Sequence, residues 1–184
     1  MAVKRITTPL TEEKVADLRA GDSVLITGRI LVGRDQVHKR LYELLQAGKD
    51  LPVDLTNEII YYCGPSPAKP GQAAGSAGPT TAGRMDKYTP DLLAKGLRGM
   101  IGKGYRSQAV KDAIVENKGV FLASVGGAGA LLAKRIKESR ILAYEDLGPE
   151  ALREFIVEDF PTIVIHDMYG GDQYAEGQKL YRRA

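Results

Sequence analysis

The sequence predicts an α/β fold, with a mixed sheet or with two sheets layered beside helices. Two observations carry this. The middle of the chain alternates β-branched runs with amphipathic segments, and both ends are rich in strand-type residues. Taken in order, residues 4–8 read as a short strand, and TEEKVADL as a short helix capped by Thr11. SVLITGRILV, 23–32, reads as a strand bent at Gly28. In GRDQVHKRLYELLQAGK, Val37, Leu41, Leu44 and Leu45 share one helical face, with Asp35 placed as the cap and Gly48 as the stop. EIIYYCG, 58–64, is the next strand.

The segment between Gly64 and Gly83 has almost no large apolar residue. It is expected to stay out of the core and, over 65–83, to be mobile without a partner. TPDLLAKG follows as a helix with Thr89 as cap and Pro90 in its first turn. GMIGKG, 99–104, is a short strand, and 107–119 an amphipathic helix with Val110, Ala113 and Ile114 inward. VFLASVGG reads as a buried strand, AGALLAKRIKES as a helix and RILAYED as a strand. LREFIVEDF and TIVIHDMYG are the closing strands, separated by Pro161.

A chain of 184 residues, 43% hydrophobic and 27% charged, suits one buried core and one domain over 1–184. The net charge of +3 is mild and its Lys and Arg are dispersed, unlike the dense basic stripe of a nucleic-acid binder. A single cysteine, Cys63, excludes an internal disulfide and fits a reducing compartment. With no signal-peptide pattern and no apolar run approaching the roughly 20 residues of a bilayer span, a soluble cytoplasmic protein is expected.

Familiar ligand motifs fail on spacing. In GGAGALLAKR, Gly127 and Gly129 give G-x-G, but Leu132 takes the third glycine position of a dinucleotide fingerprint. GLRGMIGKGY echoes a P-loop, but Leu97 and Gly104 stand where glycine and Ser/Thr are required. His38, His166 and Cys63 are scattered, so no metal is expected on this chain alone, and one cysteine cannot hold an iron–sulfur cluster. There is no G-x-S-x-G elbow for acyl chemistry.

What remains is a set of cations in glycine-rich turns: Arg34 in VGRD, Arg84 in TAGR and Lys103 in GKG. Arginine forks suit carboxylates because they donate two parallel hydrogen bonds. The residues alone point to a small polyanion, such as a dicarboxylate, held by Arg, Lys and loop amides.

LITGRILVGRDQVHKRL, YYCGPSPAKPG, GSAGPTTAGRMDKY, MIGKG and ASVGGAGALLAKRI, in this order over nearly the whole chain, resemble the β subunit or C-terminal domain of class I iron–sulfur fumarate hydratases. L-tartrate dehydratase β subunits are similar, but TTAGR fits the fumarase pattern better. The resemblance implies a swivelling β/β/α domain with mixed sheets and a helical layer. It implies reversible hydration of fumarate to L-malate, with a [4Fe–4S] cluster ligated by a partner α subunit in a hetero-oligomer, an αβ dimer of dimers. It assigns Arg34, Arg84 and Lys103 to substrate carboxylates and makes Thr80 the proton-abstracting residue, with Thr81 beside it. Cys63 matches no cluster-ligand position. A threonine hydroxyl is a poor base and needs a charged partner and a dry site. Tartrate or mesaconate as substrate, and a stand-alone anion-binding module, are the alternatives.

Overall fold

The computed structural model describes residues 3–183. The chain runs β1 (Val3–Thr7), α1 (Glu12–Ala16), β2 (Ser23–Val32), α2 (Asp35–Gln46), β3 (Ile59–Tyr61), a 3-10 turn (Ala82–Met85) and α3 (Thr89–Ala94). It continues with β4 (Gly99–Gly102), α4 (Gln108–Glu116), β5 (Val120–Ala123), α5 (Gly129–Ala133), β6 (Ile136–Ala143), a second 3-10 segment (Glu145–Glu150), β7 (Leu152–His166) and α6 (Gln173–Tyr181). This is the mixed α/β arrangement that the alternating pattern predicts.

The sheet closes on itself. Strands β2, β3, β4 and β5 run parallel, β7 pairs antiparallel with β5, and β7 also pairs along β2 from Arg153 to Ile163. The ring is therefore β2-β3-β4-β5-β7, with β1 extending beside β2 and β6 beside β7. Side chains alternate across each strand. Ile59, Tyr61, Ile101, Val120 and Leu122 enter one core cluster with Ile26, Ile30 and Phe160. Ile60, Tyr62, Met100 and Phe121 enter another, formed with Val37, Leu41, Leu92, Val110 and Ile114 of α2, α3 and α4. Strands apolar on both faces are what a parallel sheet covered by helices requires.

Several local expectations change. Asp35 is the first residue of α2, and Arg34 holds the cap position. Tyr88, not Thr89, caps α3, and the Thr89 hydroxyl donates to the Met85 carbonyl at 2.9 Å. The helix read over AGALLAKRIKES stops at Ala133, and Ile136–Ser139 belong to β6. Here strand pairing overrides helix propensity: Lys137 meets Glu158 at 2.8 Å and Arg140 meets Glu154 at 2.9 Å across the ladder. Pro161 does not divide two strands. It lies in β7 opposite Leu25, between the end of β6 pairing at Val157 and the start of β5 pairing at Ile163. A missing N–H is tolerated where one edge has no neighbour.

The sequence reading leaves out α6 altogether. Its Leu180 and Tyr181 are exposed, so no apolar stripe marks it. The one legible signal is Asp172 after two glycines, which accepts from the Tyr174 and Ala175 amides at 3.0 and 3.1 Å. Among the described residues no helix is long and apolar enough to cross a membrane.

Candidate active site

The carboxyl ends of β2, β3, β4 and β5 lie along one edge of the sheet, the usual place for ligands in parallel α/β folds. The chain reaches Arg34 two residues past β2, Gly64 three past β3, Lys103 one past β4 and the Ser124–Gly127 turn just past β5.

The loop from 64 to 82 comes back to this edge. Its tip, 66–72, is exposed, but its return limb is not free. Ala74 and Ala77 are buried in the core, contrary to the expectation that small residues keep this segment outside it. The Tyr61 hydroxyl donates to the Ala77 carbonyl at 2.6 Å, and the Ala77 amide donates to Gly129 at 3.1 Å. Gly129 makes this approach possible, since a Cβ there would lie 2.4 Å from Ser76 Oγ and 2.9 Å from the Gly78 nitrogen. Alanine serves here as a packing residue because the space left is small. The limb that carries Thr80 is thus tied to the core by packing and hydrogen bonds.

Thr80 is inserted between the diverging ends of β3 and β4. Its amide donates to Tyr62 at 2.7 Å, its carbonyl accepts from Lys103 at 3.2 Å, and the Ala82 amide donates back to Lys103 at 2.8 Å. Thr81 and Lys103 form a parallel bridge. These backbone bonds fix Thr80, Thr81 and Lys103 side by side. Gly102 permits the insertion, because a Cβ on it would be 2.8 Å from the Tyr62 ring and 3.2 Å from Ala82. Among the described residues the Lys103 ammonium makes no ion pair. Its stem passes over Gly126, where a Cβ would stand 3.5 Å from Lys103 Cδ.

The two arginines meet through Asp35, which the sequence marks only as a helix cap. Asp35 Oδ1 accepts from Arg84 Nε at 2.7 Å, and its Oδ2 lies 3.8 Å from Arg34 Nε. Arg34 also pairs with Glu150, from the 3-10 segment before β7, and lies against Gly64. That hydrogen bond raises the Arg34 pKa above its ordinary value, with burial acting the other way. A guanidinium at the N-terminal cap of α2 opposes the helix dipole, and Asp35 and Glu150 offset that penalty. Arg34 Nε and Asp35 Oδ2 are buried without a hydrogen-bond partner, so both retain unused capacity at this edge. The usable sequence signal was the D of GRD, read as a helix cap.

The structure therefore brings Arg34 and Arg84 together through Asp35, and Thr80, Thr81 and Lys103 together through the backbone. Gly64, against Arg34, stands two residues beyond Tyr62, which holds Thr80, and this joins the two groups. Arg84, Thr81 and Lys103 are exposed and Thr80 is half-buried, so the edge is open to solvent. A groove of about 750 Å³ adjoins the β5 end of this edge; Leu25, Val125, Leu131, Pro161 and Ile163 line it, together with Lys134 and Arg135. Its walls are mainly apolar, whereas the strand-end edge carries Arg34, Arg84 and Lys103.

His38 supports Arg34 from below. Its Nδ1 donates to the Arg34 carbonyl at 2.9 Å and its ring meets Tyr62 edge-on at 5.0 Å. Burial pushes the imidazole down to about 4. Between pH 6.5 and about 4 the unfolded chain binds a proton that the folded chain refuses. Stability from this group is complete above the unfolded value and is lost as pH falls, by on the order of 3 kcal/mol at about 1.4 kcal/mol per unit. Urea melts at pH 7 and 4.5 should show a shallower acid loss in His38→Phe than in wild type. Equal losses would remove His38 as their source.

Cys63 is also buried, and its thiol is pushed up to about 12. Among the described residues no group of three or more His, Cys, Asp or Glu side chains converges as a metal site.

A closed mixed sheet with helices packed on it, and a strand-end edge bearing Arg34, Arg84 and Lys103, define a mixed α/β domain. The chain belongs to the fumarase C-terminus family, whose model matches residues 2–177. It is 46% identical over 154 residues to the anaerobic class I fumarate hydratase of Escherichia coli (strain K12), covering 82% of this chain and 28% of that protein. It is 40% identical over 167 residues to fumarate hydratase 2 of Leishmania major, covering 89% of this chain and 29% of that protein. It is 34% identical over 181 residues to the putative L(+)-tartrate dehydratase subunit beta of Methanocaldococcus jannaschii, covering 95% of this chain and 93% of that protein. The chain spans less than a third of the fumarate hydratases it matches.

Proposed function

We propose that this chain is the β subunit of a hydro-lyase that interconverts fumarate and L-malate, and that it acts with a cluster-bearing α subunit in the cytoplasm. The observation that carries the reading is the strand-end edge, which brings Arg34 and Arg84 together through Asp35 and sets Lys103 beside the backbone-anchored Thr80. A second observation supports the partner. The edge is open, whereas proton transfer through a threonine needs a dry, charged surrounding. Exposed Val125 directly precedes Gly126, over which the Lys103 stem passes, and lines one groove with exposed Leu131, so an apolar face adjoins Lys103. The relatives add support: a tartrate dehydratase protein of nearly this length is named as a subunit beta. In this reading residues 1–184 form one swivelling β/β/α domain, and the assembly is an αβ dimer of dimers.

Hydration adds hydroxyl to one olefinic carbon of fumarate and a proton to the other, and dehydration reverses both. Arg34 and Arg84 bind carboxylate oxygens through charge-assisted hydrogen bonds, and Lys103 supplies a compact positive charge. Asp35 holds both guanidiniums at the edge. Thr80 carries the proton to and from the carbon next to the hydroxyl-bearing one, with an acidic residue of the partner as its support. A [4Fe–4S] cluster, when present on the partner, supplies Lewis acidity, and no ligand for it comes from Cys63. Tartrate is the second reading, supported by the tartrate dehydratase relative.

The purified chain should fold and show no hydratase activity, and addition of the α subunit should restore it. Assays of the assembled enzyme against fumarate, tartrate and mesaconate name the substrate. Appreciable fumarate hydration by the iron-free chain alone would overturn the shared-site reading.

A further inference from the structure

Arg106 lies outside the substrate edge, yet its side chain has no exposed surface. Its Nε donates to Asp86 Oδ1 at 2.7 Å, its Nη2 to Thr89 Oγ1 at 2.8 Å and its Nη1 to the Tyr62 hydroxyl at 3.2 Å. The guanidinium carbon also sits 4.9 Å from the centre of the Phe121 ring and 5.4 Å from that of Tyr62. The other Asp86 oxygen accepts from the Ser107 amide at 2.6 Å. A buried ion pair is weak evidence for stability, because apolar residues of similar volume do as well. What distinguishes this pair is the segment it grips. Tyr62 accepts the Thr80 amide through its carbonyl, the Asp86 amide donates to Gly83 at 3.3 Å, and Thr89 donates to Met85. The partners of Arg106 therefore stand at both ends of the segment that carries Thr80 and Arg84.

We propose that Arg106, acting through Asp86, Thr89 and Tyr62, is the positioning residue that fixes the 80–86 segment against the ends of β3 and β4. It touches no substrate. Its kinetic consequence rests on the reading that Thr80 and Arg84 act on a dicarboxylate, whereas its grip on the segment does not. A planar, three-way fork is needed, and a lysine ammonium in the same place keeps the charge but not the directions.

The test uses Arg106→Lys with two readouts. In the chain itself, hydrogen exchange at the amides of 80–86 should quicken roughly tenfold or more, while core amides of β2, β5 and β7 keep their protection. In the enzyme assembled with the α subunit, kcat/KM for fumarate should fall roughly tenfold or more, since small misplacement of reacting groups is costly. Tyr62→Phe, which removes one hydroxyl only, should move both readouts the same way by less, and it decides the matter if Arg106→Lys does not fold. Uniform loss of protection across the chain, or unchanged exchange at 80–86, would overturn the proposal. So would faster exchange there with unchanged kinetics. An assembled wild-type enzyme inactive on fumarate would defeat the functional reading, while the exchange result would still decide the grip.

Discussion

Thr80→Val in the assembled enzyme should lower kcat roughly 10²–10⁴-fold, the span expected for a lost proton-transfer group. KM should stay nearly unchanged. Valine matches threonine in shape, and the bonds that hold residue 80, to Tyr62 at 2.7 Å and from Lys103 at 3.2 Å, are made by the backbone. The substitution thus removes the hydroxyl and leaves the segment in place. Solvent deuterium exchange at the malate carbon next to the hydroxyl-bearing one reads the step directly. Exchange at the wild-type rate in the variant would leave Thr80 as a binding element only.

Arg84→Met should act on binding instead. A lost charge-assisted hydrogen bond costs about 1.5–3 kcal/mol, or roughly tenfold to a hundredfold. It should appear mainly in KM if the carboxylate contact is equal in the ground and transition states. The Arg84 side chain is 51% exposed, so its pair with Asp35 adds little to stability and the melting temperature should hardly move. A variant with wild-type KM for fumarate would remove Arg84 from the carboxylate site. A large fall in kcat at constant KM would instead make it a transition-state contact.

The strands and the amphipathic helices α2 and α4 were legible because local pattern and tertiary role agree there. Ile59 to Tyr62 alternate between two cores, and Val110, Ala113 and Ile114 share one buried face. Reading failed where a partner elsewhere in the chain decides. Ile136–Ser139 become strand because β7 pairs with them, and Pro161 stays in strand because one edge is unpartnered there. The closure of the sheet through β2 and β7 has no local signature at all.

The site divides in the same way. Arg34, Arg84 and Lys103 were legible as cations set among glycines, and Thr80 and Thr81 only through the family resemblance. The groups that hold them were not. Asp35 looks like a helix cap until Arg84 is seen at 2.7 Å, Glu150 lies far along the chain from Arg34, and Ala77 looks like linker until Tyr61 binds its carbonyl. Long-range contacts give these residues their roles, and residue spacing carries no trace of them.

The most direct measurement of the central claim is the crystal structure of the chain assembled with its α subunit and L-malate. The account predicts malate carboxylate oxygens at about 2.7–2.9 Å from nitrogens of Arg34, Arg84 or Lys103, with the Thr80 hydroxyl facing the carbon that loses its proton. Malate bound away from the ends of β2, β3 and β4, touching none of these residues, would contradict it.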